Sequence, residues 1–119
     1  MTFVDAHNVI CLDWNGVMDT YAGYQNGKVY PPRKGLREFM VELRKQGYRL
    51  VVFTAAPLGK VVDWLREYDL LYLVEDVTNR KVPAILYIDD RAICFKGNFV
   101  QTLEEISKFE VFWEGDKQT

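Results

Sequence analysis

The sequence predicts an α/β fold: a three-layer, Rossmann-like parallel sheet with helices on both faces, in one domain over residues 1–119. Three observations carry this reading. Short apolar runs alternate along the chain with stretches of helical periodicity. The strongest runs are continuous rather than alternating, as in strands buried on both faces. Three of the expected strands end on polar residues, at Asp13, Thr54 and Asp89-Asp90, as they do where a parallel sheet presents a ligand site beyond its carboxyl edge. With 119 residues, 49% of them hydrophobic, the chain can bury one real core and leaves no room for a second domain of ordinary size.

The elements follow in order. "NVICLD", ending at Asp13, is a run of strand length. "YQNGKVY" places Asn26-Gly27 between flanks rich in Tyr and Val, a strong hairpin signal because both central residues of that turn need positive φ. "PPRKG" then punctuates. Leu36, Phe39, Met40 and Leu43 recur at i, i+3, i+4 and i+7 and predict a helix that Gly47 stops. "YRLVVFT" is a second buried strand ending at Thr54, and Pro57 opens a second helix with Val61, Val62 and Leu65 inward. "LLYLVED" reads as a third, shorter strand and "AILYIDD" as a strand ending in two carboxylates. "TLEEISKFE" predicts a closing helix, with a last strand expected at "VFW".

Composition excludes several classes. A net charge of −2 gives no sign of a non-specific nucleic-acid binder or a membrane-surface protein. No apolar run approaches the roughly 20 residues that span a bilayer, and "MTFVDAHNVI" lacks the pattern of a signal peptide. A cytoplasmic protein without membrane contact is the expectation. Cys11 and Cys94 each lie in an apolar segment and read as reduced, structural thiols. The one histidine, His7, has no partner pattern that would suggest a histidine metal site or triad.

The expected rim carries the chemistry. Two like charges about 4 Å apart repel by roughly 4 kcal/mol at an effective dielectric near 20, so Asp13, Asp89 and Asp90 brought together need a proton or a cation. All-oxygen ligands at the mouth of a sheet suit Mg²⁺, usually a partner of phosphate. Thr54 would donate to a phosphoryl oxygen, and Lys81 would neutralise charge that develops during transfer. Singly, each has an ordinary alternative: a capping Asp, a structural Thr, a solvated Lys. Their order along alternating strands and helices makes them a set.

"LDWNGV", "VVFTA", Lys81 in "RKVPA" and "LYIDDRA" resemble, in order, the four motifs of the haloacid dehalogenase (HAD) superfamily. The tail "IDDRAICFKGNF" is most similar to its small, capless phosphatases. The resemblance runs from about Asn8 to Asn98. It implies that Asp13 is the nucleophile, forming an aspartyl-phosphate, and that Thr54, with Ala55 beside it, orients the phosphoryl group. It implies that Lys81 steadies the transferring charge, that Asp90 ligates Mg²⁺ directly, and that Asp89 does so directly or through water. The segment "GVMDTYAGYQNGKVY" would be a flap over a site with no cap domain.

The chain departs from the family at Asn15, where the pattern has a second Asp as general acid and base. An amide can do neither, although its backbone carbonyl, the atom the family gives to the metal, remains. Such proton transfer is typically worth about 10² to 10⁴-fold in rate. The expectation is a hydrolase of phosphomonoesters with retained Mg²⁺ binding and weakened turnover; Asp19 in the flap is one replacement proton donor. The alternative is a catalytically impaired phosphate-binding or regulatory protein. The phosphorylated partner stays open between a small molecule, a nucleic-acid end and a phosphoprotein, as does the oligomeric state.

Other residues have two readings each. Trp14 either packs beside the sheet or sits near substrate. Tyr21, Tyr24 and Tyr30 are cross-strand partners or stack on a base. Arg91 either holds phosphate in bidentate fashion or pairs with Asp89. Arg33 and Lys34 read as surface charges at a helix start, and Trp113 as a core or interface residue.

Overall fold

In the computed structural model, which describes residues 7–24 and 27–116, the chain is built around strand β1 (Val9–Asp13). Its residues pair on one side with β2 (Arg49–Phe53) and on the other with β4 (Leu86–Ile88). The short strand β3 (Asp76–Thr78) lies outside β2. All pairs are parallel and the order is β3-β2-β1-β4. The α/β class and the parallel sheet therefore stand as expected. Among the described residues no helix is long and apolar enough to cross a membrane.

Two helices fill the core. Helix α1 (Leu36–Lys45) buries Leu36 and Met40, and α2 (Leu58–Glu67) buries Val61, Trp64 and Leu65. They form one cluster with Ile10, Leu12, Leu50 and Val52, the alternate residues of β1 and β2 that share a face. α1 stops where the sequence places its end: Gly47, at φ 91°, lets its N–H reach Arg44 O while Tyr48 N–H reaches Leu43 O.

The opposite face corrects one expectation. Val9, Cys11 and Val51 form a small second cluster there, covered by Phe53, Val82 and Ala84 rather than by α1 or α2. The crossover from β3 to β4 is an extended segment with no helix. Helix α3 (Phe99–Lys108), capped by Asn98 accepting from Gln101 N–H at 3.0 Å, buries none of its side chains. The sheet thus has helices packed on one face, not on both.

Three further expectations shift. "LLYLVED" is not a strand: Leu71–Leu73 form one tight helical turn, which buries Leu70 and Leu73 together, and β3 begins only at Asp76. Leu70 and Leu73, three apart, meet on one side of a helical turn, and a short apolar run does not distinguish that from a strand. "VFW" is not a strand either. Val111 and Trp113 are buried and Phe112 is exposed, an alternation that looks like a strand, yet residues Phe112–Asp116 form a short helix, α4. Finally, Asn26 of the expected hairpin lies outside the described residues. The described part of that segment closes at its base with one antiparallel bridge, Asp19 to Pro32, and bonds from Thr20 N–H to Pro31 O and from Arg33 N–H to Met18 O. Pro31 and Pro32 lack the N–H groups needed to extend a ladder there.

Candidate active site at the carboxyl ends of β1 and β4

The chain runs outward from β1 to β2 and β3, then returns past β1 to β4. In an open parallel sheet that reversal leaves a crevice between the two strands at their carboxyl ends, where ligands bind. β1 ends on Asp13, and Asp89 and Asp90 directly follow β4. Carboxylate oxygens of all three lie within 4.8 Å of one another. The sequence set is brought together as expected.

The cluster is electrostatically strained. Burial, a hydrogen bond with the Asp90 side chain and the nearby charges of Asp89 and Asp90 push the Asp13 carboxyl up to about 8; the Trp14 backbone N–H pulls the other way. Cys11, two residues back on the same strand, is pushed up to about 11 by burial and then by Asp13 and Asp89. Excess negative charge in an all-oxygen pocket has two remedies, a shared proton or a hard divalent cation. The donor set fits such a cation.

A wide turn over Trp14–Met18 follows Asp13. Gly16 takes φ +88°, and a Cβ there would stand 2.1 Å from Asp90 Oδ2 and 2.8 Å from Asp90 Cγ. Only glycine allows this approach of turn to carboxylate. The turn is held from inside by Asp19, whose Oδ1 accepts from Gly16 N–H at 2.9 Å and from Tyr21 N–H at 3.0 Å. Asp19 is fully buried, and burial raises its pKa against those two bonds and the charge of Arg33. It serves as a staple within the turn; among the described residues its Oδ2 has no hydrogen-bond partner. Arg33 is no surface charge, since its Nε and Nη2 donate to Gly16 O at 3.3 and 3.2 Å. Asn15 lies half-buried on the same turn.

The other predicted residues are placed less tightly. Thr54 follows Phe53, the register neighbour of Asp13, and is buried. Its Oγ1 accepts from Ala56 N–H at 2.9 Å, so its hydroxyl proton remains available to an oxygen ligand. Ala55 is exposed at the strand end. Lys81 lines the same cavity of about 640 Å³ as Asp13 and Asp89, but its Nζ rests 4.8 Å over the Tyr87 ring rather than on a carboxylate. The Arg91 guanidinium lies 5.0 Å over the Trp113 ring, and only its backbone N–H meets Asp89, at 2.8 Å. The side-chain ion pair with Asp89 does not form. Cys94, read from its apolar segment as a structural thiol, is exposed on the cavity wall.

Trp113 is the residue that the sequence pattern missed. Its Nε1–H donates to Asp90 Oδ2 at 2.6 Å, and Tyr21 meets it edge-on at 5.6 Å. No spacing rule joins positions 90 and 113; an aromatic in a charged tail was the only signal. Trp14 packs edge-on against Trp64 at 5.7 Å, and Tyr21 against Tyr30 at 5.7 Å, whereas Tyr24 is exposed.

No family model and no curated protein matches the chain. A solved structure, described as that of a conserved protein coded by a locus from Bacteroides thetaiotaomicron, is similar with a TM-score of 0.57 and 18% identity. The match covers 89% of this chain and 94% of that one. The likeness is one of fold. It supports the α/β architecture around the parallel sheet and carries no activity with it.

Proposed function

We propose that the protein is a capless HAD-type domain, with residues 16–30 as its flap, that hydrolyses phosphomonoesters slowly through an aspartyl-phosphate at Asp13. The observation that carries this reading is the convergence of Asp13, Asp89 and Asp90 within 4.8 Å at the crevice between β1 and β4. A carboxyl that burial, Asp90 and Asp89 raise to about 8 is relieved by a shared proton or by a cation, and the all-oxygen donor set supports the cation.

Asp13, Asp89, Asp90 and the Asn15 carbonyl would hold Mg²⁺, which when bound neutralises the carboxylates and the phosphoryl oxygens. An Asp13 oxygen attacks phosphorus, and the bond to the leaving oxygen breaks with its electron pair. Thr54 orients the phosphoryl group and Lys81 approaches it by leaving Tyr87. Water then attacks phosphorus, the Asp13 oxygen departs and phosphate is released. Both leaving-group protonation and water activation fall to solvent, because Asn15 carries no transferable proton and Asp19 is fully buried, with its Oδ1 held by Gly16 and Tyr21. That assigns the slow step to proton transfer, on the order of 3 to 5 kcal/mol of barrier.

The test is phosphate release from p-nitrophenyl phosphate with Mg²⁺ for the wild type, Asn15→Asp and Asp13→Ala. A gain of about a hundredfold in Asn15→Asp, with Asp13→Ala inactive, supports hydrolysis at Asp13. The second reading, a phosphate-binding or regulatory domain, is favoured by Asn15 itself. Mg²⁺ binding with no turnover in either the wild type or Asn15→Asp would make it the better one. Asn15-Gly16 is a sequence prone to deamidation, so intact mass accompanies each assay.

A further inference from the structure

The carboxylate cluster opens into a cavity whose remaining walls are mostly apolar. Asp13 and Asp89 line it at one end, with Phe53, Ile85, Tyr87 and Ile93 along the rest. The sheet puts these groups together. Asp13 pairs in register with Phe53, and Cys11, two residues before Asp13, pairs with Tyr87. Register partners in a parallel sheet share a face, as do alternate residues of one strand. The Asp13 carboxyl and the Phe53 and Tyr87 rings therefore stand together on the face that α1 and α2 do not cover. The Tyr87 hydroxyl donates to Val82 O at 2.6 Å and fixes the ring, over which Lys81 Nζ already rests at 4.8 Å. At about 640 Å³ the cavity has the size of a small-ligand site.

The same site has little acid to give a leaving group. Position 15 is an amide, and Asp19 is fully buried with its Oδ1 holding the turn. Within the cavity the Tyr87 hydroxyl is spent on Val82 O, and Lys81 is the group assigned above to the phosphoryl charge. A departing alkoxide is about as basic as hydroxide, the conjugate of water at a pKa of about 15.7, and leaves poorly without a proton. A phenolate, conjugate to an acid of pKa about 10, leaves without one.

We infer that the site takes aryl phosphates, with the ring of the leaving phenol against Phe53, Ile85 and Tyr87. The inference rests on the hydrolase reading proposed above and narrows its substrate. An Asp13 oxygen bonds to phosphorus as the bond from phosphorus to the phenolic oxygen breaks. Phenolate leaves with that electron pair and takes its proton from water afterwards. Lys81, drawn to the phosphoryl group, uncovers the Tyr87 ring for the ring of the leaving group. Two unrelated features select the same group: the missing acid favours an acidic alcohol, and the walls favour a flat apolar one.

Two measurements with Mg²⁺ test the leaving group and the walls separately. The first compares kcat/KM for phenyl phosphate and cyclohexyl phosphate, rings of similar size whose alcohols differ in acidity, in the wild type and Asn15→Asp. The wild type should favour the phenyl ester by about 10²-fold or more, the scale of acid-base help, and Asn15→Asp should shrink that preference at least about tenfold. The second is calorimetry with phenylphosphonate and methylphosphonate, which cannot turn over. The phenyl ligand should bind at least about tenfold more tightly, as even a small apolar group in such a pocket does, and Ile85→Ser and Tyr87→Ser should each narrow the gap. The same leaving group occurs as a free phenol and as a tyrosine side chain, so a capped phosphotyrosine is assayed beside phenyl phosphate and the larger kcat/KM assigns the source. Similar kcat/KM for the two esters, a preference that Asn15→Asp leaves unchanged, or phenylphosphonate binding no tighter than methylphosphonate overturns the aryl assignment and leaves hydrolysis standing. No turnover of either ester by the wild type or Asn15→Asp overturns both.

Discussion

Gly16→Ala puts the packing of the carboxylate cluster to a quantitative test. Two costs are separable. Any L-residue at φ +88° carries left-handed strain of roughly 1–2 kcal/mol. The added Cβ also meets Asp90 Oδ2 at 2.1 Å, a distance no real pair of atoms keeps. The Asp90 carboxylate must swing aside and give up the Trp113 indole, a bond to a charged acceptor worth about 1.5–3 kcal/mol. Swinging away also relieves the repulsion between Asp90 and Asp13, which favours the lower end. The sum is about 3–4 kcal/mol.

Gly47→Ala is the control, because Gly47 has φ +91° and an added Cβ there would meet nothing within 4 Å, so it carries strain alone. At about 4 °C per kcal/mol for a domain of this size, Gly16→Ala should melt roughly 12–16 °C below the wild type and Gly47→Ala about 4–8 °C below it. Urea denaturation without divalent cations should separate the two variants by about 1.5–3 kcal/mol. If they agree within about 0.5 kcal/mol, the scatter expected of exposed sites, then Asp90 is not seated against the turn and the cluster is looser than described.

Three other outcomes are expected. The Asp13 carboxyl titrates near 3.8 when unfolded and about 8 when folded, so the folded cation-free protein keeps a proton that the unfolded chain releases. That contribution is complete below about pH 3.8 and lost as pH rises through about 8; melts in EDTA should fall over that window for the wild type relative to Asp13→Asn, and parallel curves would contradict it. Asp19→Ala leaves the buried Gly16 and Tyr21 N–H groups without their acceptor and should cost about 2–4 kcal/mol in urea denaturation; a cost under about 1 kcal/mol would remove its role as a staple. Trp113→Phe keeps an aromatic ring but loses the donor to Asp90, and should weaken Mg²⁺ binding about 10- to 100-fold by calorimetry, as outer partners of ligands do; an unchanged Kd would show that the indole does not position Asp90.

The sheet strands and helix starts that flank the cluster were legible because local chemistry decides them. β1 and β2 are buried on both sides and so read as unbroken apolar runs, and Gly47 marks a helix end through its own φ. Asp13, Thr54 and the acidic pair were legible for a related reason, since a parallel sheet puts strand ends on one rim. What could not be read depends on distant partners. β3 has one apolar residue, Val77, and is a strand only because β2 lies beside it. Val111 and Trp113 alternate in burial like a strand, yet Trp113 is buried because it reaches Asp90, more than twenty positions away in sequence. Lys81 lies on the expected rim, but its resting place over Tyr87 is set by the course of the crossover, which no local pattern encodes.

Asn15 separates what geometry decides from what chemistry decides. The turn that carries it is fixed by Gly16, Asp19 and Arg33, all of which act through backbone atoms of the turn or through its close approach to Asp90. None of them senses whether position 15 ends in a carboxylate or an amide. Asp and Asn also differ little in volume, so the turn accommodates either at position 15. A carboxylate at position 15 would add negative charge on the turn that directly follows Asp13, whose carboxyl already lies near 8. On the hydrolase reading proposed above, Asn15 forgoes acid-base chemistry and spares the cluster a further carboxylate. Asn15→Asp should move turnover upward and cation-free stability at neutral pH downward together, whereas a site arranged only for binding predicts the second change without the first.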